Sequence, residues 1–194
     1  MGRMEKWLTE LKNRPLLQAA LAAAGFTVLW IAALLAYNWM HPSYTAKEIT
    51  PALCKRILQE TEKIDTEMYY IGKEEHTDTV YVGFTTSPYP DNATDPVILE
   101  FSSNPEKEGE YLYNGCRHNT FELARDVKLF IINRTRSIVI NNNSRAYQLI
   151  ERGSGKTYLQ FDSEACPAMY ILSPFYVYDR EYICVNQEGE SLSP

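Results

Sequence analysis

Four cysteines are the residues of this 194-residue chain whose chemistry is easiest to define. Thiols form disulfides, coordinate metals or act as nucleophiles. The four are Cys54, Cys116, Cys166 and Cys184, and all of them follow the apolar N-terminal segment. This distribution predicts two disulfides in an oxidising compartment, with three connectivities possible. We favour Cys166 with Cys184, which closes a short loop, and Cys54 with Cys116, which ties a helix to the sheet.

A metal site is the alternative use of these cysteines. Finger-type zinc sites bring cysteines in CxxC pairs, and the sequence contains no such pair. His118 follows Cys116 by two residues, which is also a poor match to finger spacing. The sequence therefore predicts neither a metal site nor a cofactor.

Enzymatic chemistry has little support in the sequence. The run Gly153-Ser-Gly-Lys-Thr157 resembles a phosphate-binding loop, but Ile150 stands where that pattern requires a glycine. We expect this run to be a hairpin turn. Nucleophilic catalysis needs a nucleophile, a base and an orienting acid, and no spacing in the chain fixes such a group. The prediction is a non-enzymatic protein, with a membrane-tethered hydrolase as one alternative.

Histidine supplies a second possible chemistry, the sensing of pH. The chain has three histidines, and His41 follows the apolar segment directly. The other two, His76 and His118, are candidate pH sensors because free histidine titrates near neutral pH. Glu74 and Glu75 precede His76 and favour its charged form if they stay close in the fold.

Aromatic and basic residues suggest an interface. The chain has 14 tyrosines, most of them in predicted strands, where a ring with a polar tip suits protein interfaces or amphipathic pockets. Charge is unevenly distributed along the chain, because acidic residues outnumber basic ones in Glu60–Glu110, whereas basic residues outnumber acidic ones in Arg117–Lys156. The two halves either neutralise each other or leave a basic face for an anionic partner. The candidate interface or ligand residues are Phe175, Tyr176, Tyr178, Tyr182, Arg134, Arg136 and Arg145.

A long apolar segment must position these groups relative to a membrane. Leu16–Met40 is uncharged and about as long as a helix that crosses a hydrocarbon core of roughly 30 Å. Basic residues precede it at Arg3, Lys6, Lys12 and Arg14, which predicts a cytoplasmic N-terminus and an extracytoplasmic remainder. A bacterial inner membrane with a periplasmic domain is favoured, and a cleaved signal sequence is the alternative.

Period-2 patterning and turn residues dominate the rest of the chain. We predict an α+β protein, with a single N-terminal transmembrane helix and a β-rich ectodomain of about eight to ten short strands and one or two helices. The strands form a curled antiparallel sheet or a barrel. One helix begins at Thr50 and Pro51, and Asn119 with Glu122 predicts a second, short helix over 120–126.

The predicted domain boundaries follow from these elements. They are a cytoplasmic head at 1–14, a transmembrane helix at 15–41, a linker at 42–49, a disulfide-bonded β-rich ectodomain at 50–185 and a flexible tail at 186–194. The triplets at Asn92, Asn133 and Asn142 match the N-glycosylation pattern and matter only in a eukaryotic host.

These features together favour a binding protein. We expect the exterior domain to bind that of another membrane-anchored protein as a regulatory or sensory co-component, in a hetero-oligomer that encloses a small amphipathic ligand. An accessory subunit of an envelope or surface assembly is the alternative. The topology is similar in outline to that of bacterial accessory proteins whose periplasmic domains pair with a membrane-spanning regulator. The net charge of −6, with the acidic excess in the exterior domain, argues against a nucleic-acid partner.

Overall fold

The computed structural model describes residues 15–40, 42–92, 94–162, 164–175 and 180–192. The predicted cytoplasmic head lies outside the described residues, as do Tyr176 and Tyr178. The protein has the α+β class predicted from sequence, with one N-terminal apolar helix and a β-rich domain built of curled antiparallel sheet. It divides into two units, and the second begins at Tyr44.

The first unit is the helix α1, Pro15–Met40. Its stretch Gln18–Tyr37 is 20 residues long and apolar enough to cross a membrane, and none of it is buried within the described residues. The hydroxyl of Thr27 donates to the carbonyl oxygen of Ala23 at 2.9 Å, so this polar group is satisfied without water. A single apolar helix of this kind fits a single-pass membrane anchor or a signal sequence.

The helix of the second unit is α2, Pro51–Glu60. Thr50 caps it by accepting a hydrogen bond from the backbone N–H of Leu53 at 3.3 Å, and proline occupies the first turn, where its missing N–H costs nothing. The predicted start of this helix is confirmed. Its buried face carries Cys54, Ile57 and Leu58.

Thirteen strands lie within the described residues, more than the eight to ten predicted. They are β1 Ser43–Thr45, β2 Tyr69–His76, β3 Thr79–Thr85, β4 Val97–Ser103, β5 Glu110–Arg117, β6 Phe121–Ala124, β7 Val127–Asn133, β8 Arg136–Asn141, β9 Gln148–Glu151, β10 Thr157–Gln160, β11 Ala168–Leu172, β12 Tyr182–Val185 and β13 Ser191–Leu192. They form three sheets rather than one barrel. Sheet 1 has the order β1-β5-β4-β3-β2, sheet 2 the order β11-β8-β7-β6, and sheet 3 the order β10-β9-β12-β13.

Successive side chains of a strand point to opposite faces of its sheet, and this alternation shows how the three sheets and α2 stack. On β3, Val80 and Val82 face the core shared with α2, whereas Tyr81 between them faces sheet 2. On β8, Ile138 faces sheet 1 while Val139 faces the core shared with sheet 3. The order of layers is therefore α2, sheet 1, sheet 2 and sheet 3, with an apolar core between each pair.

A β-bulge interrupts the pairing of β5 with β4. Gly115 pairs with Glu100 but Tyr113 pairs with the next residue, Phe101, so β5 has one extra residue at this point. Gly115 has a φ of 136°, which glycine adopts most readily. Residues three positions apart normally face opposite sides of a strand, but the extra residue restores them to the same side. Tyr113 and Cys116 consequently pack against the same core beside α2.

Two sequence-based expectations differ from the structure. The short helix predicted over 120–126 is wrong, because Phe121–Ala124 forms β6 and pairs with β7, and Asp126 turns the chain with a φ of 60°. The segment expected to be a flexible tail contributes β13, whose Leu192 pairs with Cys184. In both places a neighbouring strand supplies hydrogen bonds that local sequence patterns do not reveal.

The bulge leads to a prediction about stability. Replacing Gly115 with alanine places a Cβ in open space, so any cost comes from the backbone conformation rather than from a clash. We expect Gly115→Ala to destabilise the domain by about 1 to 3 kcal/mol. The control is Gly153→Ala, which also meets no atom within 4 Å and has no positive φ, and should be neutral or slightly stabilising. Thermal and urea unfolding of both variants measure the difference, and equal stabilities would contradict the argument.

Candidate functional site

The four cysteines do not form the predicted disulfides. All of them are free thiols in the structure. The expected bond between Cys166 and Cys184 is absent because Cys184 is buried in β12 between sheets 2 and 3, whereas the Sγ of Cys166 donates to the carbonyl oxygen of Asn141 at 3.7 Å. Cys54 and Cys116 share the core beside α2 but remain separate thiols. The prediction of disulfides is therefore corrected.

Burial makes these thiols weak acids. Desolvation raises the pKa of Cys54, Cys116 and Cys184 to about 12, and that of Cys166 to about 11, from an ordinary value of 9.0. The thiolate is the nucleophilic form of cysteine. An unbound thiol of this protein is therefore a poor nucleophile at neutral pH, which argues against a cysteine-based catalytic site.

Three potential metal ligands meet where α2 ends beside β5. Glu62, two residues beyond α2, lies next to Cys116 near the end of β5 and His118 just after it. One ligand atom from each of the three lies within 4.8 Å of the others. Glu62 and Cys116 are partly buried, and His118 is exposed. The cluster combines a carboxylate, a thiol and an imidazole at the edge of the core.

Tyr113 supports this cluster from the core side. Its hydroxyl donates to Oε1 of Glu62 at 2.5 Å, and its ring packs on Phe101 with centroids 5.4 Å apart. Burial, followed by the hydrogen bond to Glu62, raises the pKa of Tyr113. The hydroxyl therefore remains a donor and holds the Glu62 carboxylate in place. The sequence does not reveal Glu62 or Tyr113 as site residues, because they lie far apart in the chain and meet only through the packing of α2 on β5.

The two histidines proposed as pH sensors do not meet. His76 ends β2, at one edge of sheet 1, whereas His118 follows β5, and β3 and β4 lie between these strands. Three strand spacings correspond to roughly 14 Å. His76 lines a groove of about 410 Å³ together with Glu74, Glu75 and Tyr170. Glu74 and Glu75 thus lie beside the same groove as His76, and the sensing role of His76 stays a prediction.

The predicted arginines do not form one basic face. Arg134 is exposed in the turn before β8, and Arg145 is exposed beyond the other end of that strand. Arg136 is partly buried, and its Nη1 donates to the hydroxyl of Tyr81 at 3.2 Å, between sheets 1 and 2. Arg145 lines an open groove of about 550 Å³ that also carries Glu188 and Glu190. The arginines thus serve separate local environments.

An aromatic and cationic surface lies on sheet 3, and we call it the Tyr158 surface: Tyr158, Tyr182, Arg180, Lys156 and Glu151. The ring of Tyr158 meets that of Tyr182 edge-on at 5.2 Å. Nη1 of Arg180 donates to the Tyr158 hydroxyl at 2.8 Å and to Glu151 at 3.1 Å. Nζ of Lys156 lies 4.8 Å from the centre of the Tyr158 ring. The tyrosine is thus fixed by neighbours while part of it faces solvent.

Phe175 supports this surface from below and is not itself exposed. It has no accessible area, and its ring lies 4.2 Å from that of Tyr182 and 5.6 Å from that of Tyr158. Burial, and then Tyr158, raise the pKa of Tyr182 to about 12. Of the predicted aromatic interface, Tyr182 therefore reaches the surface, and Phe175 belongs to the core. Arg180 was missed, although a cation close to a run of aromatic residues was a usable signal.

No family model, curated protein or solved structure matches this chain. The geometry of the described residues is therefore the basis for any functional assignment.

Free thiols give a direct prediction about the protein as isolated. When the full chain is denatured without reductant, a thiol-reactive reagent should count four thiols. In the native protein, alkylation at pH 8 should be at least about tenfold slower at Cys166 than for an ordinary thiol. Raising the pKa from 9.0 to about 11 removes most of the thiolate, and the greater nucleophilicity of that thiolate offsets the loss only in part. A count of zero after denaturation would show that the cysteines are paired.

The buried thiol of Cys184 also predicts a loss of stability in alkali. The pKa of Cys184 is raised from 9.0 to about 12, so the folded protein retains a proton that the unfolded chain releases above pH 9. The stability that the neutral Cys184 thiol contributes is complete below pH 9 and is lost as pH rises toward 12, at up to about 1.4 kcal/mol per pH unit. Urea unfolding between pH 7 and pH 11 measures the slope. Cys184→Ala should reduce it, and an unchanged slope would contradict this account.

Proposed function

We propose that this chain is a membrane-anchored binding protein whose β-rich domain binds the exterior domain of another membrane-anchored protein. The observation that carries the proposal is the Tyr158 surface. Tyrosine and arginine dominate the energetics of protein interfaces because they combine a large contact area with directed hydrogen bonds. Here both residue types occur together and are held in position by neighbouring side chains.

The side chain of Tyr158 is held rigidly, which favours binding by a partner. Binding normally loses free energy when mobile side chains become ordered. Tyr158 is already restrained by the rings of Phe175 and Tyr182 and by the guanidinium of Arg180. A partner that packs on this surface therefore orders fewer groups than it would on a flexible one.

The charge of the surface indicates the chemistry of the partner. Arg180 and Lys156 contribute two cations, and Glu151, with which Arg180 forms an ion pair at 3.1 Å, contributes one carboxylate. The surface is thus locally cationic on a domain that is acidic as a whole. An acidic patch on the partner complements this surface, and the acidic remainder of the domain repels such a patch elsewhere.

The helix α1 makes a modest affinity sufficient. A helix long enough to span a membrane confines the chain to the same surface as a membrane-anchored partner, which raises the effective concentration of each for the other. We assign the N-terminus to the cytoplasmic side from the basic residues that precede α1. Because the cysteines are unpaired, this orientation rests on those residues and not on disulfide chemistry.

Site-specific photo-crosslinking in the native membrane tests the proposal. A photoreactive amino acid at Lys156 should yield one discrete adduct with a membrane protein, and the same amino acid at Tyr89, which is 68% exposed, should not. Tyr158→Ala should weaken the purified complex by about 2 kcal/mol or more, roughly thirtyfold, whereas Tyr89→Ala should have little effect. Equal crosslinking at both positions would contradict the assignment of the surface, and adducts with many subunits would favour a structural role in an assembly.

A further inference from the structure

We infer that Glu62, Cys116 and His118 form a zinc site with three protein ligands and one position open to solvent. The sequence alone predicts no metal here, because these residues do not follow a finger-type spacing. The tertiary structure brings them together from two elements, the segment after α2 and the end of β5. This site is separate from the Tyr158 surface, which belongs to sheet 3, and does not depend on the proposed function.

The spacing of the ligand atoms is close to that of a bound zinc ion. Three atoms that all lie within 4.8 Å of one another share a point no farther than about 2.8 Å from each of them. Zinc binds oxygen and nitrogen at about 2.0 to 2.1 Å and sulfur at about 2.3 Å. Each ligand therefore needs to move by less than about 1 Å, which is within the reach of side-chain rotation.

The ligand types select the metal. Thiolate and imidazole favour zinc over magnesium and calcium, which prefer oxygen ligands. Cys116 binds as a thiolate, and its proton is released to solvent when the metal enters. Because His118 is exposed, the fourth position of a tetrahedral zinc faces solvent, and water completes the coordination.

A supporting group beyond the ligands is already in place. Ligating carboxylates in proteins are commonly held by a further hydrogen bond, and the hydroxyl of Tyr113 donates to Oε1 of Glu62. The bulge at Gly115 puts Tyr113 on the same side of β5 as Cys116, so the strand supplies both a ligand and the residue that orients a second ligand. A bound zinc ion would join α2 to sheet 1, the connection that sequence analysis had assigned to a disulfide.

Metal binding by the purified full-length chain in detergent tests the site. After removal of metal by a chelator and dialysis against zinc, the chain should retain zinc stoichiometrically. Cobalt in place of zinc should give the absorption bands of a tetrahedral site, together with a thiolate-to-cobalt charge-transfer band that Cys116→Ser abolishes. His118→Ala and Glu62→Gln should each weaken zinc binding by at least tenfold, roughly the lower limit for disrupting the groups around a metal.

Two kinds of control separate this site from adventitious binding and from misfolding. Cys166→Ser and His76→Ala remove the same side-chain types elsewhere in the domain and should leave zinc binding unchanged. Tyr113→Phe keeps the ring on Phe101 but removes the hydroxyl, and should weaken binding by about tenfold. His118 is exposed, so its replacement leaves the fold intact. Absence of stoichiometric zinc, or binding that survives all three ligand substitutions, would overturn the inference.

Discussion

Burial of sheet 2 on both faces is the constraint on which the β-rich domain depends. Its strand β8 has side chains with no more than 1% exposure from Ser137 to Asn141, because successive residues face sheet 1 and sheet 3 in turn. The approach of the sheets is close enough that a Cβ on Gly83 would lie 2.9 Å from Sδ of Met169. A polar contact, from Arg136 to Tyr81, satisfies a guanidinium nitrogen at this packed boundary. Alternation of side chains thus couples three sheets into one stack.

The candidate metal ligands lie on the outer face of sheet 1, the face that α2 covers. The inner face of sheet 1 packs on sheet 2, and α2 packs on its outer face. The chain that follows α2 therefore passes the end of β5. A single extra residue at the bulge then decides which side chains of β5 face that chain. The grouping of a carboxylate, a thiol, an imidazole and a tyrosine hydroxyl is a consequence of layer order and strand phase together.

The four cysteines are free thiols and give no indication of the compartment. Four cysteines beyond an apolar segment suggested disulfides and an oxidising environment, but all four are free thiols in the structure, and Cys54 and Cys184 are buried as apolar groups in two different cores. Cysteine behaves as a small hydrophobic residue when it is buried and unpaired. The asymmetry of basic residues around α1 is then the remaining indicator of orientation, while the helix itself indicates an anchor or a signal sequence.

The sequence by itself determined the features that depend on neighbouring residues. The length and apolarity of α1, the cap of α2 at Thr50 and the hairpin turn around Gly155 all follow from local chemistry, and the α+β class follows from the change in period. Only the tertiary structure decided that 121–124 is a strand, that β13 pairs with β12, and that Glu62 lies beside Cys116 and His118. The two strands form because Phe121 pairs with Leu129 and Leu192 with Cys184, and propensity does not reveal which neighbouring strand will pair. The grouping of Glu62 with Cys116 and His118 depends on the packing of α2 and on the bulge in β5, and contacts more than fifty positions apart leave no local pattern in a single sequence.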